Sequence, residues 1–276
     1  MDRLRFCVGL LVAGLAFAGS PSPVQAEAVG AATARMDTAT AVNLAGRQRM
    51  LSQRIVKAYL MLGQGIAADD ARTILQGSIK QFESQLAALK TYQPTPVVRT
   101  TLADLEDAWK QYRPLLAAAP SKANAVKFYD VSEAVQGAAH LLTVAYQNVT
   151  GAPIDHLIGI AGRERMLSQQ MAKFYFYRTW DLYDDPAFME MHLSRAHFTA
   201  VLIRIENSPL ASAETKAAVA QVRREWEPYQ QALFATRNLA DNRRDAPRVA
   251  ELSERVLAVA EKLVEQLVAQ AQRAPR

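Results

Sequence analysis

Two arginines, Arg49 and Arg165, stand in the same sequence pattern, 116 positions apart. Residues 43–54 read NLAGRQRMLSQR, and residues 159–170 read GIAGRERMLSQQ. A guanidinium is planar, keeps its charge at neutral pH, and pairs through parallel N–H groups with carboxylate, nitrate-like or phosphate oxygens. The repeated arginine therefore predicts a place where the chain binds a carboxylate or a small anion.

On a helical wheel, each arginine falls on a stripe of small and apolar residues, separate from the face that would form the core. The core face of the first copy holds Leu44, Leu51, Ile55, Ala58 and Leu62. The arginine stripes hold Ala45, Arg49, Val56 and Leu60 in the first copy, and Ala161, Arg165, Ala172 and Phe176 in the second. Such a stripe predicts contact with another helix, and an arginine trapped there needs an acceptor, because burying an unpaired charge is costly.

Three kinds of acceptor are consistent with the sequence. Solvation or a surface salt bridge would give the arginines no functional role. A carboxylate from another helix, such as Glu133 or Glu254, would make them part of a packed interface. An anion from solution would make them a binding site. The two copies have diverged elsewhere, so the retained box indicates a shared constraint, either of packing or of binding.

The rest of the chain predicts neither catalysis nor a bound metal or cofactor. Ser52 and Ser168 have no histidine nearby in the sequence, and no glycine-rich phosphate loop is present. The single cysteine, Cys7, lies in the N-terminal apolar run. His140 and His156 stand alone, and we interpret them as structural. An enzyme is the class of function that the sequence supports least.

The repeat extends well beyond the box, which indicates duplication of a whole domain. Repeated residues include Lys57 and Lys173, Tyr59 and Tyr175, Phe82 and Phe198, Leu86 and Leu202, and the Trp-x-x-Tyr pairs at 109–112 and 226–229. The chain is 50% hydrophobic, has only 12 glycines and 12 prolines, and lacks hairpin-turn signals, so we predict an all-α fold. We expect two tandem up-down four-helix bundles, residues 27–151 and 152–276.

Capping residues and prolines place four helices in each half. The predicted ranges are 29–66, 70–91, 96–118 and 122–149, then 154–182, 186–206, 211–238 and 245–272. Pro114 and Pro228 fall inside the two third helices, where we expect kinks.

The first 26 residues have the pattern of a secretory signal peptide, with a short charged start, an apolar run and small residues before a cut after Ala26. We therefore expect a periplasmic or secreted protein whose mature part contains no membrane span. The formal net charge of +5 is spread along the chain without a basic block, which argues against nucleic-acid binding.

The box, with Lys57 after it, resembles the type IV pili methyl-accepting chemotaxis transducer N-terminal (PilJ-type) domain. It is also similar to the periplasmic Gly-x-x-Arg-Met-x-Ser box of NarX/NarQ-type nitrate and nitrite sensor kinases. That resemblance implies a periplasmic helical bundle that binds the anion across a dimer interface, with Arg49 and Arg165 as the contacting arginines. By the same resemblance, the rest of the binding box is Gly46, Met50 and Ser52, with Gly162, Met166 and Ser168; Arg47 and Arg163 are secondary candidates.

The sequence thus predicts an exported sensor-type protein that binds a small anion, nitrate or nitrite first, through duplicated boxes. If the two motif helices pack side by side, Arg49 and Arg165 would face each other across a pseudo-two-fold axis. The alternative is a ligand-free helical module whose arginine stripe docks a membrane receptor, a sensor kinase or a type IV pilus or chemosensory component.

Overall fold

A computed structural model describes residues 36–273, all of which lie in helices or in the short connections between them. The first four helices are α1 (Thr38–Gly63), α2 (Ala68–Leu89), α3 (Pro96–Tyr112) and α4 (Lys122–Thr150). The second four are α5 (Pro153–Thr179), α6 (Asp184–Glu206), α7 (Ala213–Phe234) and α8 (Leu239–Arg273). The all-α prediction is confirmed for this part of the chain.

Local signals explain most helix starts. Asp37, Thr95, Ser121 and Ser212 each accept a hydrogen bond from a backbone N–H in the first turn of the helix that follows, as N-caps do. Gly151 ends α4 in the left-handed conformation, which glycine adopts without steric cost.

Two predicted helix starts are wrong. We expected the first helix to begin at residue 29, but residues 36 and 37 are not helical and α1 begins at Thr38, after its Asp37 cap. We expected the last helix to begin at residue 245, whereas α8 begins at Leu239 and contains Pro247. The side chain of Asn238 accepts hydrogen bonds from the N–H groups of Ala240 and Asp241, and so caps α8 nearly two turns earlier than Pro247 suggested.

The two third helices respond differently to their prolines. α3 ends at Tyr112, and a 3-10 segment containing Pro114 continues it over Arg113–Ala117. Pro228 lies inside α7, which runs on to Phe234. In the first half the helix type therefore changes at the proline, whereas the α-helix of the second half continues through it.

The helices pack in two equivalent sets. In the first set α1 lies against α2 and α4, and α3 lies against α4; in the second set α5 lies against α6 and α8, and α7 against α8. The sets meet along α1 and α5, which pack extensively on each other. This arrangement is consistent with the predicted duplication, and it brings the two motif helices side by side.

Repeated residues make equivalent contacts in the two sets. Phe82 stacks on Trp109 and Phe198 on Trp226, with ring centroids 3.9 and 4.3 Å apart. The hydroxyl of Tyr112 donates to the carbonyl of Ser52 at 3.0 Å, and that of Tyr229 donates to the carbonyl of Ser168 at 2.7 Å. The repeated aromatic residues therefore anchor each motif helix to its own third helix.

The predicted signal peptide, residues 1–26, lies outside the described residues. Between residues 36 and 273, no helix is both long and apolar enough to cross a membrane.

Candidate anion site beside Arg49

The motif arginines meet where α1 and α5 cross. Arg49 is 2% exposed and Arg165 is fully buried. A Cβ built on Gly46 would lie 3.1 Å from Nη2 of Arg49 and 3.5 Å from Nη2 of Arg165. A Cβ on Gly162 would lie 3.1 Å from Nη2 of Arg165 and 3.2 Å from Nη2 of Arg49. Both glycines of the box thus leave room for two guanidinium groups packed against them.

Arg165 is neutralised within the chain. Its Nη1 donates to Oε2 of Glu261 and to Oδ1 of Asn43, both at 2.8 Å, and its Nη2 donates to the carbonyl of Asn43 at 3.3 Å. Glu261 also pairs with Arg47, which lies 3.8 Å from Glu265. We call Arg165, Asn43, Glu261, Arg47 and Glu265 the Arg165 cluster.

Burial and neighbouring charges together set the pKa values of Arg165 and Glu261. Burial lowers the pKa of Arg165, and Glu261 opposes that effect. Burial would raise the pKa of Glu261, but Arg165 and Arg47 outweigh it, so the net pKa is lowered. Glu261 is therefore a carboxylate at neutral pH.

Arg49 has a different set of partners. Its Nη2 donates to the carbonyl of Gly159 at 2.9 Å, its Nε reaches the carbonyl of Gly46 at 3.5 Å, and its Nη1 lies 3.4 Å from Nδ1 of His140. Within the described range of the chain, Arg49 forms no ion pair with a carboxylate. Burial, followed by the charges of Arg163 and Arg165, lowers the pKa of Arg49 to about 9, which leaves it charged at neutral pH.

His140 shares this electropositive environment. Burial lowers its pKa below the ordinary value of 6.5, and the charges of Arg49 and Arg163 lower it further. The imidazole is therefore neutral at pH 7, and Nδ1 accepts from Arg49 in the tautomer that carries its proton on Nε2. It provides no negative charge to balance the arginine.

A cavity of about 250 Å³ opens beside Arg49, and we call it the Arg49 cavity. Its polar lining consists of Arg49, Arg163, Arg204, His140, His156, Thr143 and Gln147. Gly159, Val144 and Ile160 complete the wall, and no acidic residue lines the cavity. A buried, charged guanidinium facing such a cavity is suited to bind an anion.

Three substitutions between equivalent positions produce this difference. Asn43, which accepts from Arg165, corresponds to Gly159, which offers Arg49 only its carbonyl. Glu261 lies seven residues after Glu254 on α8, and its counterpart seven residues after Glu133 on α4 is His140. By the same spacing, Glu265 corresponds to Val144. One half therefore carries two carboxylates where the other carries none.

The two acidic residues suggested as partners lie on the correct helices, but they pair with side chains other than Arg49 and Arg165. Glu254 pairs with Lys57 and with Arg54, the last residue of the first box. Lys57 is fully buried and also donates to Ser253 at 2.9 Å. Glu133 pairs with the equally buried Lys173. The alternative in which Glu133 or Glu254 occupies the motif arginines is therefore contradicted. The two acids lie two helical turns from His140 and Glu261, which are the residues that face those arginines.

The other residues of the predicted binding box lie away from the Arg49 cavity. The hydroxyls of Ser52 and Ser168 donate to the carbonyls of Arg49 and Arg165, each at 2.8 Å, within their own helices. Met50 and Met166 are buried in the core. Of the two secondary candidates, Arg163 lines the cavity and Arg47 belongs to the Arg165 cluster.

One buried carboxyl has no partner. Glu164 is fully buried, and neither of its oxygens has a hydrogen-bond partner in the described structure. Burial raises its pKa well above the ordinary value of 4.5. The charge of Arg223 lowers the pKa by less than burial raises it. The equivalent residue of the first half is Gln48, whose amide donates to Gln85 at 3.3 Å.

Three residues that line the cavity were not anticipated from the sequence. His140 and His156 were interpreted as structural, and Arg204 on α6 was not considered, yet all three line the Arg49 cavity. A usable signal was present in the box itself, because the change from Asn43 to Gly159 removes a side-chain acceptor from one copy only.

The first motif lies in a recognisable family segment. Residues 32–133 match the family model described as type IV pili methyl-accepting chemotaxis transducer N-term, or PilJ. The PilJ resemblance is thereby confirmed for this segment, which contains Arg49 and the first box. No curated protein and no solved structure matches the chain. The second box and most of the cavity lining lie outside the PilJ-matched residues.

Proposed function

We propose that this chain is a sensor-type domain that binds a small anion in the Arg49 cavity. The observation that carries the proposal is the asymmetry between the motif arginines. Arg165 has Glu261 as its counter-ion, whereas Arg49 is equally buried, stays charged and faces a cavity lined by arginines and histidines. A buried charge without a counter-ion is costly, so an anion bound there would stabilise the folded protein.

Nitrate and nitrite are the first candidates, through the resemblance of the box to the nitrate sensors. A planar oxyanion can accept paired N–H bonds from Arg49 while lying near Arg163. We propose Arg49 as the principal contact, and we assign Arg165 a structural role in place of the bridging role that the sequence suggested. The PilJ match supports a sensing role without catalysis for such a site, in a chain that works outside the cytoplasm.

The proposal can be tested by thermal unfolding of the purified protein in sodium nitrate, nitrite, sulfate or chloride at constant ionic strength. We expect one anion to raise the melting temperature saturably, since a ligand at a hundred times its Kd adds about 2.7 kcal/mol. In His140→Glu the new carboxylate should occupy Arg49 as Glu261 occupies Arg165, and the response should disappear. His197→Glu, which adds the same charge at an exposed position of α6, should respond like the wild type.

An equal response in the wild type and in His140→Glu would place the anion elsewhere. No response to any anion would contradict the proposal.

The alternative, a helical module that docks a partner protein, receives support from the Arg165 cluster. There a carboxylate of another helix already satisfies the motif arginine, as that alternative requires. A chemosensory or pilus component would be the partner to test, because the matched family segment is that of a chemotaxis transducer.

A further inference from the structure

The Arg49 cavity is larger than an inorganic anion needs. Its volume of about 250 Å³ is several times the ~30 Å³ that a water molecule occupies in the liquid. Nitrate bound to Arg49 would leave most of that space to solvent. The size of the cavity therefore favours a ligand with more atoms than nitrate.

A second cavity continues from the first. It has a volume of about 670 Å³, and His156, Ile160 and Arg204 line both cavities. Cavities that hold small organic ligands usually measure about 300–1,000 Å³. The second cavity lies between the start of α5 and the connection from α6 to α7, and we call it the outer cavity.

The outer cavity differs from the first in chemistry. Pro153, Leu157, Pro209 and Leu210 contribute apolar surface, together with the shared Ile160. Leu157 is buried and Leu210 is half-buried, so both present packed apolar side chains to the cavity. The Arg49 cavity, which is cationic, thus lies beside the outer cavity, which is mainly apolar.

Charge also limits the ligand. No acidic residue lines either cavity, while Arg49, Arg163 and Arg204 contribute three positive charges. The arginines would repel an ammonium group, and no carboxylate of the cavity lining could pair with it. Amino acids and amines are therefore disfavoured as ligands. A carboxylate would pair with the arginines, and an alkyl chain would displace water from the apolar wall.

We infer that the ligand is an aliphatic monocarboxylate, with its carboxylate at Arg49 and its chain in the outer cavity. This inference rests on the proposed anion site and specifies the class of ligand. The carboxylate takes the place that Glu261 occupies at Arg165, and the chain extends past Ile160 toward Leu210.

The test is calorimetric titration of the purified protein with nitrate, acetate, hexanoate and norleucine at constant ionic strength. Hexanoate has four more methylenes than acetate, and each buried methylene tightens binding by about fourfold, so we expect hexanoate to bind roughly 250-fold tighter. Norleucine has the same carbon chain with an added ammonium, and we expect it to bind much more weakly than hexanoate.

Two variants test whether the alkyl chain of the ligand binds in the outer cavity. Leu210→Gln should weaken hexanoate binding by about tenfold, through lost apolar contact, and leave nitrate and acetate unchanged. Leu75→Gln, at a half-buried position on α2 outside both cavities, is the matched control and should leave all four affinities unchanged.

The outcomes separate the two proposals. If nitrate binds but acetate and hexanoate bind equally in the wild type, the inference fails and the anion site stands. Norleucine binding as tightly as hexanoate would also overturn the inference. If neither nitrate nor any carboxylate binds, the proposed function itself fails.

Discussion

The Arg165 cluster and the Arg49 cavity are built on equivalent positions of α1, α4, α5 and α8. In both, a buried motif arginine crosses to the opposite motif helix and donates to the carbonyl of residue 43 or 159. They differ in what α4 and α8 present to the arginine, which is His140 in one and Glu261 in the other. The comparison shows that the box fixes where each arginine lies. The residue that α4 or α8 places beside it determines whether the chain itself supplies a counter-ion.

Loss of the Glu261 carboxylate should give the largest difference between the two regions. Glu261→Gln removes the charge that pairs with Arg165 and Arg47, and leaves Arg165 buried without a counter-ion. We expect the free energy of unfolding, measured by urea denaturation, to fall by about 3–5 kcal/mol. The same change at the equivalent position, His140→Gln, removes no counter-ion and should cost less than about 1 kcal/mol. Equal losses would show that Glu261 does not stabilise the cluster through its charge.

A second difference between the halves concerns the position before each motif arginine. Glu164 is buried without a partner and its equivalent is the neutral Gln48, so Glu164→Gln should stabilise the protein by about 1–3 kcal/mol at pH 8. The pKa of Glu164 is raised on folding, so its protonated form stabilises the folded state below pH 4.5, and that contribution is lost as pH rises toward the raised pKa. The gain in Glu164→Gln should therefore shrink as pH falls toward 4.

The reverse change is the matched control for that prediction. Gln48→Glu would bury a carboxyl in the first half, and its cost should grow with pH over the same range. A stability difference between wild type and Glu164→Gln that is the same at pH 4 and pH 8 would contradict the assignment of a buried neutral carboxyl.

The smallest effect is expected in the pH dependence of nitrate affinity. The pKa of His140 is lowered in the free protein, and a bound anion would raise it by favouring the imidazolium. Nitrate should therefore bind more tightly as pH falls through the pKa of His140 in the bound state, by at most about tenfold per pH unit, until His140 is protonated in the free protein too. In calorimetric titrations, the nitrate affinity of His140→Gln should lack the part of the pH dependence that His140 causes. His156→Asn, which changes the other histidine of the cavity, is the control variant. A flat profile in the wild type would remove His140 from the site.

Sequence reasoning predicted the helices, and the contact of each arginine stripe with another helix, because caps, prolines and periodicity are local signals. It left open whether the two motif helices meet each other. The box repeats at a spacing of 116 residues, and the Trp-x-x-Tyr pairs at 117, whereas the pairs Glu133–Glu254 and His140–Glu261 are each separated by 121. The fourth helices are thus offset from the rest of the repeat, and their side chains have diverged. That is why Glu261 could not be matched with His140 from the sequence, although Glu254 and Glu133 directed attention to the correct helices.

Gly151 joins the two halves in one polypeptide, directly after α4 and just before α5. A receptor assembled from two identical subunits must carry the same residues at both symmetry-related positions, so a carboxylate introduced at one would appear at the other. A single chain escapes that restriction, and each half can vary independently. Titration of this protein should accordingly saturate at one ligand per polypeptide, a stoichiometry set by the covalent connection and not by cooperativity between subunits.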